Sequence, residues 1–260
     1  MAEDFGEVIC TRCKKYSSKL DISCSLIRIF VKINRYYTML KIAKLTFNPI
    51  LENTYILWDE SGECIVVDAG NLSAREDNRL VDYITEQGLK PVMAVNTHGH
   101  FDHLGGAMWL KEQYGVAFAC SSKDQFLIDS VSGGMVYGIK CNDVPAIDVD
   151  LDAVTEVKFG NSTLKVIKTP GHTPGHVVLF GQEDKVLFTG DTLFRESIGR
   201  TDLPGGDYSW IMKSIIEEIL PLGDDVTIYP GHEDASTIGH ESLYNPFVVE
   251  VLNNEINYKG

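Results

Sequence analysis

The chain has 260 residues, 44% of them hydrophobic, and a formal net charge of −14 at pH 7. This length and apolar content suffice for one large globular domain with a substantial core. The acidic balance disfavours nucleic acid as a partner, because a surface of this sign repels polyanions. No stretch reaches the roughly 18 apolar residues of a membrane span, so no membrane partner is expected either.

Residues 1–38 differ from the rest in charge, with 7 Lys and Arg against 4 Asp and Glu. Their most apolar stretch, Ile22 to Val31, follows a basic segment as the core of a signal peptide would. However, Arg28 interrupts the stretch, and Arg35 follows before any A-x-A-like cleavage site. We expect residues 1–38 to be an extension that is disordered, or one that is not translated because translation starts at Met39.

The six cysteines lack the paired spacing of a disulfide framework, which a chain of this size does not need. Cys10 and Cys13 form a C-x-x-C pair, but no second pair follows at zinc-finger spacing. We interpret this pair as a chance occurrence. A reduced, cytoplasmic setting is expected for the protein.

In chain order, the first predicted elements are strands. Runs rich in β-branched and aromatic residues predict an antiparallel meander over Leu40 to Phe47, Thr54 to Trp58 and Cys64 to Val67. Helical spacing of apolar residues then predicts a helix over Ala74 to Gln87. The strand that comes next begins at Pro91.

A candidate N-cap residue and a candidate stop residue flank the helix predicted over Ala74 to Gln87. Ser73 is its candidate N-cap and Gly88 its candidate stop. The following region predicts a helix over Ala107 to Tyr114 and a short strand over Val116 to Cys120.

The region from Ser130 to Asp152 is rich in Gly and Asp and has little periodicity, so it is predicted to be a long loop that borders a site. A helix is predicted over Tyr208 to Leu220, with one apolar face that packs on the core. Further strands are predicted over Val154 to Phe159, Thr163 to Lys168, Val177 to Phe180 and Lys185 to Phe188.

The segment Thr97-His98-Gly99-His100-Phe101-Asp102-His103 directly follows the apolar run Val92 to Val95. It contains three imidazoles and a carboxylate within seven residues. These are the donors that bind Zn²⁺, Fe²⁺ or Mn²⁺ at neutral pH, and a loop after a strand lets several side chains turn towards one point. The segment therefore predicts a metal site rather than a solvated histidine-rich loop.

Three isolated ligand candidates follow downstream. His172 lies in Thr-Pro-Gly-His, Asp191 in Phe-Thr-Gly-Asp and His232 in Tyr-Pro-Gly-His, each just past a β-rich run. An array of seven candidate ligands is a more specific signal than one short motif.

The order and contexts of these residues resemble the metallo-β-lactamase superfamily, in which H-x-H-x-D-H is followed by a His, an Asp and a last His. The resemblance covers Met39 to about Phe247. It implies an α/β fold, the four-layer αββα metallo-β-lactamase sandwich, in one catalytic domain over residues 39–260. Two-domain glyoxalase II enzymes carry a helical thiol-binding domain after the last histidine, and the 28 residues beyond His232 leave no room for one.

The resemblance also implies two divalent metal ions, with zinc as the expected metal and iron or manganese as alternatives. Their implied ligands are His98, His100 and His172 for one ion, Asp102, His103 and His232 for the other, and Asp191 as a bridge. A water shared by the two ions would lose its proton near neutral pH and attack the substrate carbonyl. Asp102 and Asp191 are accordingly the predicted catalytic residues.

Three further polar residues are given roles outside the ligand set. His176 is interpreted as a hydrogen-bonded structural histidine or one that supports a ligand, and His240 as a surface residue. Asp68 resembles a buried Asp of the superfamily that orients the ligands, with loop capping as the alternative.

The glycines beside ligands are expected where the backbone turns sharply and leaves room for an ion. They are Gly99, Gly171, Gly190 and Gly231.

Arg200 is the predicted substrate-binding residue, since it lies where glyoxalase II enzymes carry a basic residue for the anionic end of the thiol carrier. The alternative is a surface arginine paired with Asp202. The local Gly-Arg-Thr-Asp sequence also resembles persulfide dioxygenases, which hold a single iron with the equivalents of His98, His172 and Asp191.

The resemblance favours a cytoplasmic metallohydrolase that cleaves a thioester, either a hydroxyacyl-glutathione or a related acyl-thiol. The alternatives are a persulfide dioxygenase and a hydrolase of lactone, amide or phosphodiester bonds. A further alternative, from a different class, is a metal-binding module that serves partners without hydrolysis. The metal and the oligomeric state are left open by the sequence.

Overall fold

The structure, a computed structural model, describes residues 39–258. The expectations for residues 1–38, including Cys10 and Cys13, lie outside the described residues. The strands are β1 (Lys41–Phe47), β2 (Glu52–Trp58), β3 (Glu63–Val67), β4 (Lys90–Val95), β5 (Ala117–Cys120), β6 (Met135–Val136), β7 (Ile139–Lys140), β8 (Val149–Asp150), β9 (Glu156–Phe159), β10 (Ser162–Lys168), β11 (Val177–Gly181), β12 (Val186–Gly190), β13 (Leu193–Phe194), β14 (Ser197–Ile198), β15 (Thr227–Pro230) and β16 (Ser236–Thr237). The α-helices are α1 (Ala74–Glu86), α2 (Phe101–Leu104), α3 (Ala107–Tyr114), α4 (Gln125–Val131), α5 (Tyr208–Lys213), α6 (Ile238–Tyr244) and α7 (Pro246–Tyr258).

Two six-stranded sheets form the centre of the fold. The first has the order β1-β2-β3-β4-β5-β8 and the second the order β16-β15-β12-β11-β10-β9. In the first sheet β1, β2 and β3 are antiparallel, as the meander predicts, and β3, β4, β5 and β8 are parallel. In the second sheet only β12 and β15 form a parallel pair.

The sheets pack face to face because alternate residues of each strand are apolar on the inner side. In β2, Tyr55 and Leu57 belong to the core between the sheets, whereas Ile56 points to the opposite face. In β11, Leu179 faces the same inner core and Val178 the outer one. Successive residues of a strand therefore face opposite cores, and both faces of each sheet are apolar because both are covered.

Helices cover both outer faces. Leu80 of α1 and Leu110 of α3 pack on the first sheet. Ile211 of α5, Ile238 of α6 and Val248 of α7 pack on the second. The layers are therefore helix, sheet, sheet and helix, which confirms the predicted four-layer αββα sandwich.

Most predicted elements are confirmed with small shifts at their ends. Helix α3 has the predicted bounds, whereas α1 ends one residue early. The loop predicted from Ser130 to Asp152 starts after Val131, where α4 ends, and contains three two-residue strands, β6, β7 and β8.

Ser73 is the N-cap residue of α1, as predicted. Its side chain, however, accepts no backbone hydrogen bond. Its hydroxyl donates instead to Oε2 of Glu76, 3.0 Å away, and the same oxygen accepts from the N–H of Leu72 at 2.9 Å. The carbonyl of Ser73 accepts from the N–H groups of Glu76 and Asp77, both at 2.9 Å, and so begins the helix.

The single helix predicted over Tyr208 to Leu220 is divided. Helix α5 is α-helical, Ser214–Ile219 is a π-helix and Leu220–Leu222 is a 3₁₀ turn. Pro221 lacks the N–H that would continue an α-helical ladder, so the helix ends there in a tighter turn.

The described part of the chain, residues 39–258, contains no helix that is both long enough and apolar enough to cross a membrane.

We predict that Leu57→Ala destabilises the protein by about 2–5 kcal/mol, because it opens a cavity between the sheets. Leu57 is fully buried there. Urea denaturation followed by circular dichroism measures the change. Leu243→Ala is the matched control, since Leu243 is 69% exposed, and should change the free energy of unfolding by less than about 0.5 kcal/mol. Equal effects of the two substitutions would contradict the assigned inter-sheet core.

Candidate metal centre

All the predicted ligands lie at one edge of the sandwich, because the strands before them end there. His98 follows β4, His172 follows β10, Asp191 follows β12 and His232 follows β15. Helix α2 starts directly after His100 and carries Asp102 and His103 on its first turn. Loops at the carboxyl ends of strands are a common place for sites in folds of this kind.

The structure brings the seven predicted ligands together. Among residues 39–258, three groups have donor atoms within 4.8 Å of one another: His98, His100 and His172; His98, His103 and Asp191; and Asp102, His103 and His232. The first and third groups are the two ligand sets that the sequence resemblance implies.

The Asp191 carboxylate lies between these two sets. Its Oδ2 is 3.5 Å from Nε2 of His172 and 3.6 Å from Nε2 of His232. Its Oδ1 is 3.4 Å from Nε2 of His103. On the other side of the centre, Nε2 of His232 is 3.2 Å from Oδ2 of Asp102. This is the placement that a bridging carboxylate needs.

The residues present fit a divalent metal ion. Within residues 39–258, buried atoms without a hydrogen-bond partner include Nε2 of His98, Nε2 of His100, Nε2 of His103 and Oδ1 of Asp191. Burying so many unpaired polar atoms is costly. Cations coordinated at this point would account for Nε2 of His98, Nε2 of His103 and Oδ1 of Asp191. His100 presents its Nδ1 instead, 2.8 Å from Nε2 of His172. The imidazole and carboxylate donors suit zinc, iron and manganese alike.

Two glycines next to predicted ligands have no room for a side chain. A Cβ atom on Gly231 would collide with Oδ1 of Asp191 and lie 2.6 Å from Cε1 of His103. Gly190 has a φ of +46°, and a Cβ there would lie 2.8 Å from Nε2 of His176. The predicted need for glycine beside ligands is confirmed at these two positions.

Burial and neighbouring charges shift the pKa values of the histidines in opposite directions. Burial holds the pKa of His98 well below its usual value and lowers the pKa of His100 to about 4. Burial also disfavours a charge on His103, but the carboxylates of Asp191 and Asp102 outweigh it and raise the pKa of His103. Since a metal ligand must be a neutral imidazole, metal binding at His103 displaces a proton.

Contacts behind the ligands fix their orientation. Nδ1 of His172 donates to the carbonyl of Arg200 at 2.7 Å, and Nδ1 of His98 is 3.0 Å from Oγ1 of Thr97. Nδ1 of His103 is 3.3 Å from Oδ2 of Asp68. These partners at Nδ1 leave each Nε2 directed at the centre. Asp68 therefore contacts a ligand as predicted.

Asp68 also holds the start of the histidine segment. Its Oδ1 accepts from the N–H of Thr97 at 2.7 Å, and its Oδ2 accepts from the Thr97 hydroxyl at 2.8 Å. Asp68 itself adopts a left-handed φ of +51°, which lets the chain turn at the end of β3.

His176 is a buried, hydrogen-bonded histidine, as predicted. Its Nε2 accepts from the N–H of Asp191 at 3.0 Å, and its Nδ1 lies 3.1 Å from the hydroxyl of Thr169 and 3.0 Å from that of Thr192. His240 lies partly exposed, with Nε2 2.9 Å from Oε1 of Glu196.

Asp124 is a supporting residue that sequence reasoning missed. This buried carboxylate accepts hydrogen bonds from the N–H of Gly99 at 2.9 Å, the N–H of Gly175 at 2.7 Å and the hydroxyl of Thr173 at 2.7 Å. It thereby joins the loop of His98 to the loop of His172. No local motif marks it, since it lies in the ordinary sequence Ser-Lys-Asp-Gln after β5.

The Arg200 side chain pairs with Asp202. Its Nε and a terminal guanidinium nitrogen donate to the two carboxylate oxygens of Asp202 at 2.7 and 2.8 Å, and the side chain is 54% exposed. This matches the alternative of a surface arginine paired with Asp202. Its role in substrate binding stays a prediction.

Comparison with known sequences identifies the family. Residues 48–232 match the Metallo-beta-lactamase superfamily. The chain belongs to this superfamily. Its members are enzymes of the metallohydrolase type, and the fold binds metal ions.

Three relatives of this superfamily chain are informative. It is 38% identical over 200 residues to hydroxyacylglutathione hydrolase GloC of Haemophilus influenzae, covering 76% of this chain and 92% of that one. It is 33% identical over 198 residues to the mitochondrial persulfide dioxygenase ETHE1 of Homo sapiens, covering 74% of this chain and 70% of that one. Among solved structures, TTHA1623 in a di-iron-bound form matches with a TM-score of 0.70 and 29% identity, covering 79% of this chain and 99% of that one.

We predict that Gly231→Ala weakens metal binding by about tenfold or more, comparable to the loss of a contact that orients a ligand. The added methyl group would meet Asp191 and His103. Metal content after dialysis against buffered free zinc measures the effect. Gly134→Ala is the control, because a methyl group there approaches no atom closer than 3.3 Å. Undiminished metal content in Gly231→Ala would show that this space is not the ion site.

Proposed function

We propose that this superfamily member is a metal-dependent thioester hydrolase of the glyoxalase II-like kind, with a hydroxyacyl-glutathione or a related acyl-thiol as substrate. The observation that carries the proposal is the 38% identity to GloC over 92% of that enzyme's length. The convergence of the seven ligand candidates at one edge of the fold supports it. Residues 39–260 are proposed as the catalytic domain.

The proposed ligands are those of the two sets described above. His98, His100 and His172 would hold one divalent ion, Asp102, His103 and His232 would hold the other, and Asp191 would bridge them. When bound, two such ions supply Lewis acidity that ionises water near neutral pH and polarises a carbonyl group. Zinc is the proposed metal, with iron or manganese as alternatives, and TTHA1623 is an example of a related chain with two irons.

The chain's own residues prepare this chemistry. Asp102 and Asp191 place two carboxylates in the centre. Burial opposes their ionisation, but the charge of His103 outweighs burial and lowers the pKa of both carboxyl groups. Both side chains are therefore ionised at neutral pH and attract cations. The N–H of Asp191 donates to His176, which fixes the carboxylate between the two ligand sets.

Persulfide dioxygenase activity with a single iron is the second candidate. The 33% identity to human ETHE1 supports it. The centre also contains a set of two histidines and one carboxylate, His98, His172 and Asp191, which is the ligand type of non-haem iron oxygenases. Nε2 of His172 lies 3.5 Å from Oδ2 of Asp191 in this set.

A cytoplasmic setting is proposed for either activity. Cys64, Cys120 and Cys141, the cysteines of the described residues, are all buried and none forms a disulfide. Free buried thiols of this kind are typical of a reducing compartment.

We predict that zinc-loaded protein releases thiol from S-lactoylglutathione without dioxygen. The rate should rise with pH through about 7, as water at the ions ionises. A thiol-reactive dye under argon gives the rate. The control is protein made metal-free with a chelator, which should be inactive. Reloading it with zinc should restore the rate. Oxygen uptake by iron-loaded protein with glutathione persulfide, together with no thiol release, would favour the second candidate instead.

We predict that His103→Ala separates the two candidates. A two-ion hydrolase loses most of its activity because His103 belongs to the second ligand set, whereas a single-iron dioxygenase retains activity because His103 is not among its ligands. Asp191→Ala should remove activity in both cases, since Asp191 is a proposed ligand in the two-ion site and in the single-iron site. His240→Ala is the matched histidine control, because its ring contacts Glu196 rather than any proposed ligand. Full thioesterase activity in His103→Ala would contradict the two-ion proposal.

A further inference from the structure

Asn53 is an unusual residue for its position. It lies in strand β2 and is 2% exposed, although asparagine is disfavoured in strands and costly to bury. A buried amide of this kind needs hydrogen-bond partners to be tolerated. The partners of Asn53 lie far away in the chain, in the loop that carries His232.

Asn53 clamps this loop on both sides of the histidine. Its Nδ2 donates to the carbonyl of Pro230 at 3.1 Å and to the carbonyl of Glu233 at 2.8 Å. Its backbone N–H donates to the carbonyl of Gly231 at 2.7 Å. Three donations from one residue thus fix the carbonyls on either side of His232.

Two neighbours complete the clamp. The Thr46 hydroxyl donates to Oδ1 of Asn53 at 3.2 Å, which leaves Nδ2 facing the loop. The hydroxyl of Tyr55 donates to the carbonyl of Pro230 at 2.7 Å. Thr46 is the cross-strand partner of Asn53 in the β1–β2 pair, so the sheet register sets this arrangement.

His232 depends on such support more than the other ligands do. Nδ1 of His98 and Nδ1 of His172 each have a hydrogen-bond partner, and Nδ1 of His103 lies 3.3 Å from the Asp68 carboxylate. Within residues 39–258, the contacts of the His232 ring with Asp102 and Asp191 are made by Nε2 and not by Nδ1. The direction of its ring therefore depends on the backbone, and Glu233 beside it has a strained left-handed φ of +67°.

We propose that Asn53 is a positioning residue for His232 and thereby sets the affinity of the second metal ion. The inference rests on the proposed two-ion site. The first ligand set is supported separately by Asp124, whose hydrogen bonds join the loops of His98 and His172 through Gly99, Thr173 and Gly175. Loss of the Asn53 clamp is thus expected to weaken the second ion selectively.

The test is metal titration of the whole protein with zinc, in competition with a chromophoric chelator, followed by cobalt substitution and absorption spectroscopy. The wild type should bind two ions per chain. Asn53→Ala should keep the first ion with unchanged affinity and bind the second about 10- to 100-fold more weakly, the usual cost of losing support behind a ligand. The cobalt spectrum should lose only the bands of the second ion.

The matched control is Asn161→Ala. The amide of Asn161 donates to Oε1 of Glu60 on the surface at 3.2 Å, beside the β2–β3 turn and therefore at the opposite end of the sandwich from the ligands. The Asn161→Ala variant should bind both ions with the affinities of the wild type. If Asn53→Ala does not fold, as judged by circular dichroism, Tyr55→Phe tests the same clamp, because it removes the bond to Pro230 and keeps the aromatic ring.

The possible failures are distinguishable. A wild type that binds a single ion would overturn the two-ion site, and the inference with it. A wild type with two ions and an Asn53→Ala variant with unchanged affinity for both would overturn the positioning role alone. Equal weakening of both ions in Asn53→Ala would also contradict it, since a general loosening of the fold gives that result.

Discussion

The position of the Asp191 carboxylate is the constraint on which the centre depends. It is buried among His103, His172 and His232, and each of its oxygens faces at least one of these imidazoles. Backbone interactions fix it there: its own N–H donates to His176, and the carbonyl of Gly190 accepts from Gly231 at 2.8 Å. A buried carboxylate is stable only with such compensation.

The sandwich brings the two halves of the chain to this carboxylate. The first sheet supplies the histidine segment after β4, and the second supplies the ligands after β10, β12 and β15. Direct backbone bonds tie the sheets together at the ligand edge. The N–H of Val177 donates to the carbonyl of Thr97 at 2.9 Å, and the N–H of Asn53 donates to the carbonyl of Gly231 at 2.7 Å. The distance between ligands is therefore set by sheet packing rather than by loop flexibility.

Sequence reasoning reached the elements whose signal is local. Helix α3 has a helical apolar pattern ended by Gly115, and its bounds were predictable. The ligands were recognisable because their types and order form a motif. Asp124 and Asn53 carried no such signal, since their partners are separated from them by 25 to 51 and by 177 to 180 residues respectively. The position of Ser73 as the N-cap residue was also predictable, whereas the bond from its hydroxyl to Glu76 was not foreseen.

The supporting contacts also bear on which chemistry the centre serves. A single-iron site of His98, His172 and Asp191 would need no ordered His232, and a buried asparagine that only held an unused histidine would be a cost to the fold. In this chain Asn53, Thr46 and Tyr55 all direct hydrogen bonds to the His232 loop or to the residue that holds it. A polar network of this kind within a sheet is stable only when its members are all paired, and here they pair around the loop that carries His232. The support thus holds His232 where the proposed second ligand set needs it.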